Sequence, residues 1–319
     1  MLPSCILASC INSFAPYYGM CAGISAIGLN YGTDVEPEAT SKLWHALVAS
    51  TSGTNIRLRV CTGLAAAASV LTPPLKAELQ QRLTALDIGV AHAHEIAVVH
   101  SLTALRHLWL CDHPESGARL SEAGVGSSMR PCQMSSLRTL QLHSIAPGAF
   151  FIPGSAASLQ HLHKLRLIRC PFPDSCLPSE LLRLPALRHF EIFNVTGRLL
   201  SMPDLRGLSA LRSLVVYRGP RLRSLCGTSS AELEASLTGR PLCGATGLTR
   251  LCLSSTLIDA SRYADAIERL PQLKVLHVDY STCNVAAFYA AKLQRQLRGR
   301  CSVRPATKCR ALDWLGDDW

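Results

Sequence analysis

The sequence predicts an α/β solenoid, a stack of short parallel strands joined by turns and short helices around one continuous leucine core. Three observations carry this. The phrase Leu159-Gln-His-Leu162-His-Lys-Leu165-Arg-Leu167-Ile-Arg-Cys170 has the spacing L-x-x-L-x-x-L-x-L-x-x-C, and its frame returns along the chain. Measured from positions 83, 105, 137, 162, 187, 211, 248 and 273, the copies step by 22, 32, 25, 25, 24, 37 and 25 residues, most of them inside the range of a structural repeat. Apolar residues make up 48% of the 319-residue chain and aromatics only 6%, which suits a core filled by leucine and a single elongated domain.

In chain order, residues 1–40 are apolar, with Cys5, Cys10 and Cys21, but have no basic start, no small-residue cleavage site and no unbroken run of about 18 apolar residues. They are read as a poorly ordered leader or cap, neither signal peptide nor membrane span. Residues 41–78 predict a capping unit or degenerate repeat: Leu43, Trp44 and Leu47 have helical spacing, and Ile56-Arg-Leu58-Arg-Val60 alternates as a half-buried strand does. Residues 77–86 are expected to form a helix leading into the first good repeat.

Residues 79–283 hold the repeats. Their frames are Leu83, Leu86 and Ile88; Leu102, Leu105, Leu108 and Leu110; Met134, Leu137, Leu140 and Leu142; the phrase from Leu159; Leu184, Leu187, Phe190, Ile192 and Val195; Leu208, Leu211, Leu214 and Val216; Leu248, Leu251 and Leu253; and Leu270, Leu273, Leu276 and Val278. The steps of 32 and 37 residues are ordinary units carrying Gly-, Ser- and Pro-rich inserts, Cys111 to Gln133 and Arg218 to Gly244. Fixing the backbone of a unit costs about 1–2 kcal/mol per residue, against about 1.5–3 kcal/mol for each buried leucine. No unit stands alone, so neighbours stack and their L-x-L strands line up as a parallel sheet. Residues 284–304 then predict a closing amphipathic helix (Val285 to Leu297) and a last edge strand at Cys301-Ser-Val303-Arg, ahead of an acidic, Trp-rich tail at 305–319.

The series from Leu79 to Cys283 resembles the leucine-rich repeat family, and Cys176-Leu-Pro-Ser-Glu-Leu-Leu-Arg-Leu-Pro-Ala-Leu187 is similar to the L-P-x-x-L-x-x-L-x-x-L stretch of its intracellular and plant-like members. The resemblance implies a horseshoe with the parallel sheet on its concave face and helices or loops on its convex face. It also implies a protein-interaction module or scaffold. Where the family carries its usual Asn, this chain has His113, Ile145, Cys170, Val195, Gly219, Thr256 and Ser281, so an irregular solenoid whose loops are tied by other means is expected. Ser41-Lys-Leu-Trp44-His-Ala-Leu47 is similar to the stretch that follows an F-box, which offers an F-box-like substrate receptor fragment of a ubiquitin ligase as a second reading, although residues 1–40 show no F-box.

Catalytic and metal signals are weak. There is no G-x-S-x-G turn, phosphate loop or zincin pattern, and Ser229 with Glu232 is spaced as a helix capping box. Fourteen cysteines are strewn without a C-x-x-C pair, which fits free thiols in a reducing compartment and a cytoplasmic setting. The sequon at Asn194 and the pairs His92/His94 and His161/His163 are read as chance or solvated positions. No enzyme activity, cofactor or metal is expected.

Function is expected on the sheet face turned away from the leucines, because alternate strand residues must point there. These are His107, Trp109 and Cys111; Thr139, Gln141 and His143; Lys164, Arg166 and Ile168; His189, Glu191 and Phe193; Ser213, Val215 and Tyr217; Arg250, Cys252 and Ser254; and Val275, His277 and Asp279. Aromatic side chains beside a planar cation dominate protein interfaces, so Trp109, His143, Arg166, Phe193, Tyr217 and His277 are the expected contact residues, all taken as solvent-facing. A second row follows the fourth frame position: Arg106, Arg138, His163, Arg188, Arg212, Thr249 and Lys274, a basic ladder once units stack. Arginine supplies 26 of the 32 basic residues and the net charge is +10, which favours an acidic partner and keeps a basic surface for an acidic ligand or nucleic acid as a third reading. Without a recognisable nucleic-acid module or concentrated basic arm, a protein partner is preferred. The chain is expected to be monomeric.

Overall fold

The computed structural model describes residues 27–29, 56–60, 77, 80–90, 99, 101–112, 134–151, 153–172, 177–197, 199, 202, 205, 207–219, 222, 245–254, 267, 270–278, 295, 297 and 299–305. Its chain divides into two compact units, 1–119 and 120–319. The division falls inside the first predicted insert, where a Gly- and Ser-containing stretch interrupts the leucine frame.

Among the described residues the first unit holds four strands, β1 (Ile27–Leu29), β2 (Ile56–Val60), β3 (Leu83–Val90) and β4 (His107–Asp112), paired in that order and all parallel. The alternating Ile56 to Val60 segment is a strand as predicted. The leader contributes strand β1, which periodicity did not reveal. The helix expected over residues 77–86 stops early: residues 80–82 are helical, and Leu83 already belongs to β3. Thr84 and Ala85 are buried together with Leu83, Leu86 and Ile88, and the pairing with β2 shifts register between Ile56 and Arg57, so β3 opens on a bulge before the alternation of Leu86 and Ile88 sets in.

In the second unit the sheet order is β5 (Thr139–His143), β6 (Lys164–Ile168), β8 (His189–Phe193), β10 (Ser213–Tyr217), β11 (Arg250–Ser254), β12 (Val275–Val278) and β13 (Ser302–Pro305), again all parallel. Strand β13 is the edge strand predicted at Cys301 to Arg304. Strands β7 (Pro171–Phe172) and β9 (Thr196–Gly197) form a separate two-stranded ribbon between turns. The connections are short: helices α1 (Pro147–Phe150) and α2 (Ser155–Ser158) make about one turn each, and Ser179–Arg183 is a 3-10 turn. Pro178 and Pro185 bracket that turn, and proline is poorly tolerated inside a longer helix.

Every residue of the predicted frames is buried, from Leu83 to Val278. In-register pairs carry the core from strand to strand: Leu140 beside Leu165, then Phe190, Leu214, Leu251 and Leu276. The architecture is that of a leucine-rich repeat solenoid.

The loops are tied by backbone in place of an Asn ladder. The residue after each of four successive strands, Ser144, Arg169, Asn194 and Arg218, has positive φ of 60°, 52°, 51° and 54°. Each of their N–H groups donates to the last carbonyl of the next strand, on Ile168, Phe193, Tyr217 and Ser254 respectively, at 2.8 to 2.9 Å. At the former Asn position, the Cys170 thiol donates to the Leu142 carbonyl at 3.4 Å. A different kind of tie sits on the connecting side: a Cβ on Gly207 would stand 2.1 Å from the Leu182 carbonyl oxygen, so consecutive turns approach too closely there for any side chain.

Ser41 to Leu47, His92, His94, Ser229, Asp279 and most of both inserts lie outside the described residues, as do residues 306–319. Of the closing helix, Arg295 is helical and Leu297 is buried. No helix among the described residues is long and apolar enough to cross a membrane.

Candidate functional site

Because the strands of the second unit are in register, equivalent side chains form rows across the sheet. At the margin where the strands begin, the residue before each strand is tied to its neighbour through the backbone. The N–H of His163 donates to Arg138, Arg188 to His163, Arg212 to Arg188, Thr249 to Arg212 and Lys274 to Thr249, each at 2.8 Å. Adjacent strands lie about 4.7–4.9 Å apart, so these residues sit at that pitch. Arg138, Arg188, Arg212 and Lys274 are exposed. The predicted ladder therefore exists in this unit. Arg106 belongs to the first unit, where it is likewise exposed and its N–H donates to Thr84.

One ladder member is anchored: Arg212 Nη1 donates to the Gly247 carbonyl at 3.1 Å. The His163 imidazole is pushed below its ordinary pKa by burial, and then by the charges of Arg188 and Arg138 and by His161. The two carboxylates described in this unit are Glu180 and Glu191, both buried, Glu180 beside Arg183 at 3.2 Å and Glu191 beside Arg166 at 2.6 Å. Neither belongs to the ladder row.

The middle row runs Gln141, Arg166, Glu191, Val215, Cys252 and His277. All six are buried, against the expectation that they face solvent. Arg166 lies between two acceptors, donating through Nε to Glu191 at 2.6 Å and through Nη1 to Gln141 at 3.4 Å. Its guanidinium also stands 5.6 Å from the centre of the Phe193 ring. Neighbouring strands bring each middle side chain against two others, and an arginine buried in this way must be paired. Alternation tells which face a residue takes, not whether that face stays open.

The row at the strand ends is His143, Ile168, Phe193, Tyr217 and Ser254. Phe193, at 8% exposure, forms an apolar cluster with Val215 and Cys252, against which Ile168 and Tyr217 pack half-buried. The Phe193 and Tyr217 rings lie 6.2 Å apart, and the Arg218 guanidinium sits 5.3 Å over Tyr217. His143 is half-buried, its pKa lowered by burial and then by Arg169. In the first unit Trp109 is half-buried beside Asp87.

Of the expected contact residues, Arg166, Phe193 and His277 are thus buried rather than solvent-facing, while His143, Tyr217 and Trp109 keep partial exposure. The buried trio of Gln141, Arg166 and Glu191 was missed by sequence reasoning although a signal existed. Positions 141, 166 and 191 are spaced by a constant 25 residues, which places an acceptor, a cation and an acid side by side on adjacent strands.

Among the described residues no group of His, Cys, Asp or Glu side chains is arranged to hold a metal ion. The Cys170 thiol is pushed up to about 12 by burial, and Cys111 is raised by burial and then by Asp87 and Asp112. Both are poor nucleophiles at neutral pH, since the thiolate is the reactive form.

No protein-family model matches the chain and no curated protein sequence matches it. Among solved structures, a crystal structure of an internalin from Listeria monocytogenes aligns at 15% identity and a TM-score of 0.34, over 70% of this chain and 66% of that one. The alignment thus spans just under two thirds of the internalin.

Proposed function

We propose that this chain is a non-catalytic interaction module that takes a protein partner on the open margins of its second-unit sheet. The observation that carries the reading is the division of the sheet into rows. The ion pair of Arg166 and Glu191 closes the middle row, while cations at the beginnings of the strands and Ile168 and Tyr217 at their ends remain accessible. Charge at one margin and half-open apolar surface at the other supply the two ingredients of a protein interface. A scaffold held by a continuous leucine core loses little freedom when it binds, which limits the ordering cost of association.

The test compares one captured partner, at measured Kd, on two sets of variants. Arg138→Gln/Arg188→Gln/Lys274→Gln alters the first margin, and Ile168→Ser/Tyr217→Ala the second. Loss of roughly tenfold or more in affinity from either set, with the melting transition retained, supports the reading. A partner held equally by both sets places recognition elsewhere and removes it.

A further inference from the structure

We propose that the exposed cation row of Arg138, Arg188, Arg212 and Lys274 is a docking track for an extended acidic polypeptide segment that runs across the strands and sets its carboxylates against successive units. This deepens the reading above by naming the chemistry of the partner, and it rests on that reading.

The track is built rather than scattered. Its six positions, from Arg138 through His163, Arg188, Arg212 and Thr249 to Lys274, are joined by an unbroken series of backbone hydrogen bonds, so the spacing of the cations is set by the sheet and not by loop conformation. Five strand steps at about 4.8 Å span roughly 24 Å. An extended peptide rises about 3.3 Å per residue, so roughly seven residues cover the row. Cations occur at the first, third, fourth and sixth positions, and the reach of Arg and Lys side chains absorbs the difference from the spacing of alternate peptide side chains, about 7 Å.

Three of the four cations are arginines, whose planar fork meets a carboxylate through two parallel hydrogen bonds. None of the four has a carboxylate partner among the described residues, because Glu180 and Glu191 are both buried beside other arginines. Four exposed like charges at this pitch repel one another, and an anion lying along them relieves that repulsion. Thr249 and His163, between the cations, leave gaps for side chains that are not acidic.

A peptide is favoured over a single-stranded nucleic acid by where the aromatics are. Sequence-tolerant nucleic-acid binding combines a basic groove with aromatic rings on which bases stack. On this sheet Phe193 and Tyr217 lie at the opposite ends of the strands from Arg188 and Arg212, about 16 Å away at the rise of an extended strand. Phe193 is buried, and one face of Tyr217 lies under Arg218.

The experiment measures anisotropy of a labelled peptide of alternating glutamate and serine, about ten residues long, against the full chain at low and moderate salt. An otherwise identical glutamine peptide and an oligothymidine of similar length serve as competitors. Wild type is expected to bind the glutamate peptide roughly tenfold or more tightly than the glutamine peptide, with an affinity that falls as salt rises. The variant R138Q/R188Q/R212Q/K274Q is expected to lose that preference. Should it fail to fold, the pairs R138Q/R188Q and R212Q/K274Q each lose part of it. A charge-matched control, R169Q/R183Q/R218Q/R295Q, removes four exposed arginines outside the row and is expected to bind as wild type does.

Equal weakening in that control would show that net charge alone attracts the peptide and would overturn the track. Tighter binding of the oligothymidine, abolished by the row variant, would replace the acidic peptide with a nucleic acid. No preference for the glutamate peptide, while a captured protein partner still depends on Ile168 and Tyr217, would overturn the track and leave the broader proposal standing.

Discussion

Six strands of the second unit, β5, β6, β8, β10, β11 and β12, bury the middle of both of their faces, by opposite means. On the inner face Leu140, Leu165, Phe190, Leu214, Leu251 and Leu276 stack as interchangeable apolar side chains. On the outer face of the same strands the middle row begins with an acceptor, a cation and an acid joined at 2.6 and 3.4 Å and passes into an apolar patch around Val215 and Cys252. The inner face tolerates many sequences of similar volume. The outer face does not, because each polar member requires its own neighbour.

The difference is sharpest under substitution of the leucine row. Leu165→Asp or Leu214→Asp places a carboxylate where exposure is 0% or 1%, with an expected cost of several kcal/mol and unfolding of the adjoining turns, seen as loss of far-UV circular dichroism and of amide protection. A cooperative, wild-type-like transition would mean that the core is less continuous than the register implies.

Gly207→Ala is the next largest expected effect. It forces a Cβ against the Leu182 carbonyl and should cost about 1–3 kcal/mol by denaturant midpoint. It acts on the connecting side of the leucine core and should leave binding of a margin-directed ligand unchanged once the variant is folded.

Smaller still is the expected response of the strand-end turns. Non-glycine residues in the left-handed region cost about 1–2 kcal/mol, whereas glycine gives back part of that through its chain entropy. Arg169→Gly should therefore stabilise by about 0.5–1 kcal/mol, and Asn194→Gly by less, since Asn tolerates this region best. Destabilisation by both would indicate that their side chains contribute more than their backbones do.

The smallest effect is titration. The His143 and His163 pKa values are depressed in the fold, so the neutral imidazole is favoured there and the unfolded chain binds more protons as pH falls below about 6.5. The associated stability is fully present above that pH and is lost as pH falls through the folded values. Replacing Arg188 and Arg138 by Gln should raise the His163 pKa, followed by its NMR titration, and leave that of His143 unmoved. Equal shifts at both would contradict the separation of the two margins.

Much of this fold was legible because leucine spacing reports which residues are inward, and inward residues are buried in a stacked solenoid whatever their loops do. All eight frames from Leu83 to Val278 follow that rule. The ladder was legible for the same reason, since Arg138, Arg188, Arg212 and Lys274 keep a fixed offset from the frame. The exposure of Arg166, Phe193 and His277 was not, because two-residue alternation carries no information about what lies beside a side chain on the neighbouring strands. Strand β1 was equally hidden: three residues, Ile27 to Leu29, are too few to show a period.

On the proposed reading, the middle of the outer face is a closed structural strip and recognition is left to its margins. A double-mutant cycle with Arg166→Met, Glu191→Leu and the pair together, followed by chemical denaturation and by binding of the same partner, tests it most directly. The account predicts that Arg166→Met or Glu191→Leu alone, which strands a buried charge, costs about 3–5 kcal/mol, that the pair restores most of that loss, and that the folded double variant binds as wild type does. Additive costs without coupling, or a stable double variant that no longer binds, would contradict it.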